Sequence, residues 1–218
     1  MATPRRALVV IDVQKEYFIG NLPVEYPPVE QTLPNIARAM DAAHAAGIPV
    51  LVVQHSTPPG TPVFAKGTTT WALHDEIGRR HRDHHIEKGW PSVFTQTDFA
   101  DWLKANEIDT IAVTGYMTQN CVASTLFEAF HRGYAAEVLK DATGAVPYAN
   151  AAGSATAEEV HRVLNVIFHS RFASVTATDD WIAAVQAERA IPMDNIPASN
   201  LRARQLARSA GTAATKAA

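Results

Sequence analysis

Residues 110–131 read TIAVTGYMTQNCVASTLFEAFH. Thr110 to Thr114 is a β-branched, apolar run of the kind that forms a strand buried on both faces. It breaks at Gly115 and crosses a short polar loop (Met117, Thr118, Gln119, Asn120). A helical pattern then runs from Cys121 to His131. Strand, tight turn and helix in succession form the building unit of a parallel α/β protein. Cys121 is the single cysteine among 218 residues, and this reading puts it at the start of the helix. There the positive end of the helix dipole and the unpaired backbone N–H groups favour a thiolate. Cys121 therefore reads as a nucleophile, although a lone cysteine is by itself more often a small buried hydrophobe.

The same unit recurs on both sides of this stretch. Ala7–Ile11 is a continuous apolar strand ended by Asp12, and Val29–Ala46 has helical spacing with Gly47 as its stop. Ile48–Gln54 is a second buried strand. Trp71–Arg80 is a candidate short helix, and His85–Glu87 a weak strand leading to Lys88. Asp98 is placed to cap a helix running to about Ala105. Beyond the opening stretch come a strand at Ala136–Leu139, a helix at Ala157–His169, a strand at Ala173–Thr176 and a helix at Asp179–Glu188. This alternation predicts an α/β fold with right-handed crossovers and a parallel sheet covered on both sides.

Composition narrows the class. The net charge is −3 and 47% of residues are hydrophobic, which suits a sizeable core and points to neither nucleic acid nor membrane as a partner. The basic start, Met1–Arg6, is followed by an apolar run that Asp12 interrupts. That run falls short of the roughly 7–15 apolar residues of an export signal. One cysteine cannot form an internal disulfide, which permits a reducing compartment. No later stretch approaches the ~18 apolar residues of a membrane span, and the expectation is a soluble, cytoplasmic protein. Residues 1–190 read as one domain and residues 191–218 as an Ala/Arg-rich C-terminal extension. From Asn195 onward the extension holds Arg202, Arg204, Arg208 and Lys216 with no acid, hence +4. That leaves −7 for the rest of a chain whose total is −3.

In a parallel α/β sheet, ligands gather at the carboxyl ends of the strands. Asp12 follows the first strand, His55 the second, Lys88 the third and Cys121 the fourth. Any one of them alone has a bland explanation as a cap, a surface charge or a core residue. Four reactive side chains at one edge point instead to a catalytic site.

The residues around these positions carry a resemblance. Val-Val-Ile-Asp12-Val-Gln14-x-x-Tyr17-Phe18 opens the chain, and Ile-Glu-Lys88-Gly-Trp90-Pro-Ser92-Val-Phe94 follows. Then come Val-Thr-Gly115-Tyr116-Met117-Thr118-Gln-Asn-Cys121-Val122-x-x-Thr125 and Glu137-Val-Leu-Lys-Asp141-Ala142. In this order and spacing the chain resembles the isochorismatase-like cysteine hydrolase superfamily, which includes nicotinamidases, N-carbamoylsarcosine amidases and ureidoacrylate hydrolases. The resemblance runs from about Ala7 to Thr176. It implies a three-layer α/β fold with a mostly parallel, six-stranded, Rossmann-like sheet flanked by helices. It also implies a catalytic triad of Asp12, Lys88 and Cys121. Asp12 would take the thiol proton, Lys88 would hold the charges and polarise the substrate, and Cys121 would attack a carbonyl. The family's oxyanion hole maps onto the N–H groups of Met117 and Cys121, beside a non-proline cis peptide expected at Tyr116–Met117.

The remaining expectations concern ligands. Tyr17, Phe18, His55, Trp71, Trp90, Phe94 and Thr118 are the candidate substrate-binding residues. Nicotinamidases hold a metal with an Asp-x-His motif after the second strand, whereas this chain has Val53-Gln54-His55-Ser56-Thr57. His74, His81, His84 and His85 cluster in sequence, three of them within a cationic run that opposes metal binding. No metal and no cofactor is expected, and no G-x-G-x-x-G follows the first strand to mark a dinucleotide site. Isochorismatases proper often lack the cysteine, so Cys121 favours hydrolysis of a small amide, imide or ureido compound through a thioester. The alternatives are isochorismatase-type vinyl-ether cleavage with Asp12 as the acid, and a non-catalytic small-molecule binder or scaffold. The resemblance further implies a homo-oligomer, a dimer or tetramer.

Overall fold

The computed structural model describes residues 3–216, with side chains through Ser209. The last two residues of the 191–218 extension lie outside the described residues. Six strands form the central sheet: β1 (Arg6–Ile11), β2 (Val50–His55), β3 (His84–Lys88), β4 (Thr110–Tyr116), β5 (Ala135–Gly144) and β8 (Ser174–Thr176). The intervening β6 (Tyr148–Asn150) and β7 (Gly153–Ala155) pair antiparallel as a separate exposed hairpin. In the main sheet the spatial order is β3-β2-β1-β4-β5-β8, and every neighbouring pair is parallel. The order reverses direction between β1 and β4, which makes their carboxyl ends the switch point where ligands collect in open α/β sheets.

Helices α1 (Glu16–Ile19), α2 (Val29–Ala45), α3 (Asp75–Gly78), α4 (Phe99–Ala105), α5 (Ala123–His131), α6 (Ala157–Ile167), α7 (Thr178–Gln186) and α8 (Ile196–Lys216) complete the chain. The two faces of the sheet are set by alternation, because successive strand side chains point to opposite sides. Ala7, Val9, Ile11, Leu51, Val53, Ile111 and Val113 pack with Phe99 and Leu103 of α4 and Leu126 of α5. Leu8, Val10, Val50, Val52 and Ala112 pack with Ile36 and Met40 of α2 and Trp181 of α7. The sheet is thus the middle of three layers, as the alternating sequence implied. Among the described residues, no helix is long and apolar enough to cross a membrane.

Element boundaries depart from the sequence reading where polar residues interrupt an apolar run. Lys140 and Asp141 mask the second half of β5, which continues to Gly144. A register shift between Val113 and Gly115 lets Thr143 and Gly144 pair with Gly115 and Tyr116. The candidate helix at Trp71–Arg80 contracts to the single turn of α3. Asp98 precedes α4, but its side chain does not cap it; the carboxylate accepts instead from His84 Nε2 at 2.9 Å.

The amino-terminal end of the sheet is bolted by a buried ion pair. Arg6 donates Nε to Glu137 Oε2 at 2.9 Å and Nη2 to Glu137 Oε1 at 2.8 Å. Trp181 Nε1 also donates to Glu137 at 2.9 Å, and Arg6 Nη2 reaches Arg189 O at 2.6 Å. Strands β1 and β5, helix α7 and the segment after it therefore share one network. Removing one partner would strand a buried charge. Arg6→Ala is expected to lower unfolding free energy by about 3–5 kcal/mol, read from denaturant midpoints at unchanged slope.

Candidate active site

Four strand ends build the site. At the end of β1 the chain leaves the sheet through Asp12, whose φ of 51° lies in the left-handed region that aspartate tolerates better than most residues. Its N–H donates to Val53 O at 3.0 Å, so the turn leans toward β2. Gln14 secures that turn: its amide donates to His55 O at 2.9 Å and to Trp71 O at 2.7 Å, and its oxygen accepts from His55 N at 2.9 Å. On the other side of β1, Gly115 takes φ 101°, and a Cβ there would sit 2.0 Å from Ile11 O. Only glycine allows β4 to pass that close to the end of β1.

The peptide bond Tyr116–Met117 is cis, where the resemblance placed it. Beyond it, Thr118–Val122 forms a single π-helical turn that runs into α5. Cys121 lies inside this turn, three residues after it begins, whereas the sequence reading had the helix start at the cysteine. Thr125 Oγ1 donates to Cys121 O at 2.7 Å and accepts from Val93 N at 3.2 Å, tying the Cys121 turn to the loop after β3.

Three side chains from widely separated positions meet here. Lys88 Nζ donates to Asp12 Oδ2 at 2.7 Å and to Cys121 Sγ at 3.3 Å. It also lies 3.3 Å from His55 Nδ1. Asp12, Lys88 and Cys121 are all buried, and Asp12 Oδ1 has no hydrogen-bond partner among the described residues. One donor atom each from Asp12, His55 and Cys121 lie within 4.8 Å of one another.

The charges follow from this packing. Burial pushes the Cys121 thiol well above its ordinary range and the Asp12 carboxylate pushes it further, while Lys88 opposes them without prevailing. The sulfur is therefore a neutral thiol at neutral pH, not the standing thiolate that a helix-start position suggested. Burial alone would lower Lys88, but Asp12 and Cys121 outweigh it and the ammonium is held above its usual value. Burial, and then Lys88, lower His55 below the ordinary imidazole range, against a smaller opposing pull from Asp12. Tyr17 is raised, first by burial and then by Cys121 and Asp12, which makes it a neighbour of the same cluster.

Asp12, His55 and Cys121 are a donor set that suits zinc. The Lys88 ammonium stands within 2.7–3.3 Å of all three, so a cation would have to displace another cation. The set does not fit a metal while Lys88 is there. The histidines that cluster in sequence do not converge: His74 Nδ1 accepts from Glu76 N, His81 pairs with Asp83, and His84 pairs with Asp98 and stacks on Trp102.

The candidate substrate residues divide. Tyr17 packs between Phe64 and Tyr116, with ring centroids 5.2 Å from each, and Phe18 lies against His74 and Tyr116. Tyr17 is buried in the core, and the half-buried Trp71 donates Nε1 to Ser56 Oγ at 2.8 Å. Phe94 belongs to the core: it is buried against Phe99 and Tyr134, and Arg132 lies over its ring. Trp90 is 52% exposed and bonds Gln96, because the chain turns outward after Lys88. Thr118 is buried with its hydroxyl bonded to His161 Nδ1 at 3.0 Å, so it anchors the turn that holds Cys121. Sequence reading missed Gln14 as a clamp, although it stands in the opening motif. It also missed Phe64 and His161. The first lies in a Pro-rich loop without periodicity, and the second is a single histidine on an amphipathic helix.

A family model for the isochorismatase domain matches residues 6–180. A protein from Burkholderia xenovorans, whose crystal structure carries a provisional isochorismatase designation, is 58% identical with a TM-score of 0.94, covering 96% of this chain and 100% of that one. An N-carbamoylsarcosine amidase from Thermoplasma acidophilum is 26% identical with a TM-score of 0.65, covering 82% and 98%. The ureidoacrylate amidohydrolase of Methylobacterium radiotolerans is 31% identical over 169 residues, which span 62% of this chain and 66% of that protein.

Because the thiol is held protonated, alkylation of Cys121 by iodoacetamide should accelerate about tenfold per pH unit between roughly pH 7 and 9, with no plateau. Asp12→Asn removes a carboxylate that raises the thiol, so this variant should alkylate faster than the parent at about pH 8. Peptide mass spectrometry reads both, and a plateau below pH 8 would instead show a standing thiolate.

Proposed function

The chain belongs to the isochorismatase family, and from that premise we propose that it is a cysteine hydrolase cleaving the C–N bond of a small amide, imide or ureido compound. The observation that carries this reading is the contact of the Cys121 thiol with both a buried carboxylate and a buried ammonium. Among the described residues Asp12 Oδ1 is a buried carboxylate oxygen without a hydrogen-bond partner, and one Asp12 oxygen lies within 4.8 Å of the sulfur.

In this reading each group has a task. As substrate enters, the Cys121 S–H proton passes to Asp12, and sulfur forms a bond to the carbonyl carbon. The carbonyl π pair moves onto oxygen, where the N–H groups of Met117 and Cys121 are the proposed donors. One such donor is typically worth about 2.7–4 kcal/mol of barrier. Collapse of the adduct breaks the C–N bond, and the proton on Asp12 goes to the departing nitrogen. A thioester remains on Cys121 (a thiocarbamate if a ureido carbon is attacked). Water then adds to it, giving a proton to Asp12, and the sulfur leaves and regains that proton. Lys88 stays protonated throughout and offsets whichever of Asp12 or Cys121 is anionic at each step. Phe18 and Trp71 would line the substrate's approach, with Tyr17 buried behind them.

The ureidoacrylate amidohydrolase and the N-carbamoylsarcosine amidase, by their names, act on compounds of this chemistry, which supports the substrate class. Ether cleavage by Asp12 would leave the sulfur and its contact with Lys88 without a use.

Ammonia or amine release across a panel of small amides, imides and ureido acids tests the reading. At least one member should turn over, with undiminished rate in chelator. Cys121→Ala should lower kcat by at least about 1,000-fold, and Asp12→Asn by about 100-fold to 10,000-fold. Intact-protein mass should show an adduct on Cys121 under rapid quench. Unchanged turnover by Cys121→Ala would eliminate the thiol route.

A further inference from the structure

A lysine ammonium has three N–H donors. Lys88 Nζ has three acceptors at hydrogen-bonding range: Asp12 Oδ2 at 2.7 Å, Cys121 Sγ at 3.3 Å and His55 Nδ1 at 3.3 Å. We propose that His55 is a positioning residue that fixes the Lys88 ammonium between Asp12 and Cys121, and is not a substrate ligand. The inference deepens the reading of Cys121 as the nucleophile and rests on it.

Several observations converge. His55 ends β2 and Lys88 ends β3, and the two are paired in register, so their side chains leave the sheet together. The imidazole is itself immobilised. Gln14 clamps the His55 backbone on both its N–H and its C=O, and the ring stands edge-on to Phe64 at 5.4 Å. Nδ1 can accept from an ammonium only if the ring is neutral with its proton on Nε2. Burial and the cation both favour that neutral ring. Without His55, one N–H of a buried ammonium would lose its acceptor, and the charge would be free to turn away from the sulfur. A second consequence concerns the reaction. All three Lys88 donors are engaged within the protein, so none is left over to polarise the substrate carbonyl. That task falls to backbone N–H groups.

The groups that face this cluster are Asp12 after β1, Lys88 on β3, Tyr17 on α1 and Cys121 in the nucleophile turn. His55 therefore acts on Cys121 through Lys88, and the thiol is the place to read it. Below the thiol pKa, the alkylation rate at fixed pH reports a shift directly, since one unit is tenfold.

The test compares His55→Leu, which removes the acceptor, with His55→Asn, whose amide oxygen falls near the position of Nδ1. Iodoacetamide alkylation of Cys121 at about pH 8 should slow roughly tenfold in His55→Leu and recover to within about threefold of the parent in His55→Asn. With an amide substrate, kcat should fall in the same proportion while KM stays within roughly twofold. A folded His55→Leu with the parental alkylation rate and a raised KM would overturn the proposal and make His55 a substrate ligand. If His55→Leu fails to melt cooperatively, His55→Gln replaces it, because its amide lies one bond too far out. Asn faster than Gln supports the proposal, and equal rates overturn it. Alkylation needs no substrate, so a failed search for an amide substrate leaves this result interpretable by itself.

Discussion

A lysine ammonium with almost no access to water is the constraint from which the site follows. Removing such a charge from water is costly, and the cost is tolerable only when acceptors surround it. Asp12, Cys121 and His55 supply them, and each comes from the end of a different strand or the turn after one. The sheet order, its register and the exit angles of β1, β2 and β4 must all be right for the ammonium to be satisfied. The same requirement makes the site rigid: its members cannot relax singly without leaving a buried donor or acceptor unpaired.

Two backbone features bring the partners within reach. Gly115 lets β4 pass against Ile11 at a distance no side chain permits, and this closes the gap between the cysteine's turn and the end of β1. Asp12 adopts a left-handed conformation where the chain leaves β1, and its carboxylate meets the Lys88 ammonium. Both lie at the point where strand order reverses. The cleft common to open α/β sheets is here narrowed until a thiol, a carboxylate and an ammonium share one buried volume. In that volume burial and Asp12 outweigh Lys88 at the sulfur, so the thiol keeps its proton until a substrate arrives. On the proposed reading the nucleophile is made by proton transfer at the moment of attack, and the Asp12 oxygen without a hydrogen-bond partner supports that reading.

Much of this was legible in the residues. The β-branched runs at 7–11, 50–53 and 110–114 marked buried strands because a parallel sheet is covered on both faces. The chemistry-bearing residues followed those runs directly, so their shared edge could be read from order alone. What could not be read were the side chains whose roles depend on distant partners. Phe94 and Trp90 stand in one motif, yet one packs into the core and the other faces water, because direction after Lys88 is set by the loop's tertiary course. Thr118 is engaged by His161, 43 positions away. The second half of β5 was hidden because Lys140 and Asp141 break the apolar run, while its pairing is set by extra residues in β5 between Val138 and Thr143, opposite Thr114 of β4.

By itself the sequence determined the fold class, the strand that leads to the cysteine, and the four reactive side chains (Asp12, His55, Lys88 and Cys121) that follow successive strands. These depend on local periodicity and on residue type, which need no partner to be recognised. The choice of three of those side chains as a triad came from the family resemblance. Tertiary structure alone decided the protonation of the sulfur and the engagement of every Lys88 proton. It also decided which aromatics face the site. Those properties depend on burial and on distances between residues far apart in the chain, and neither quantity exists until the sheet has closed.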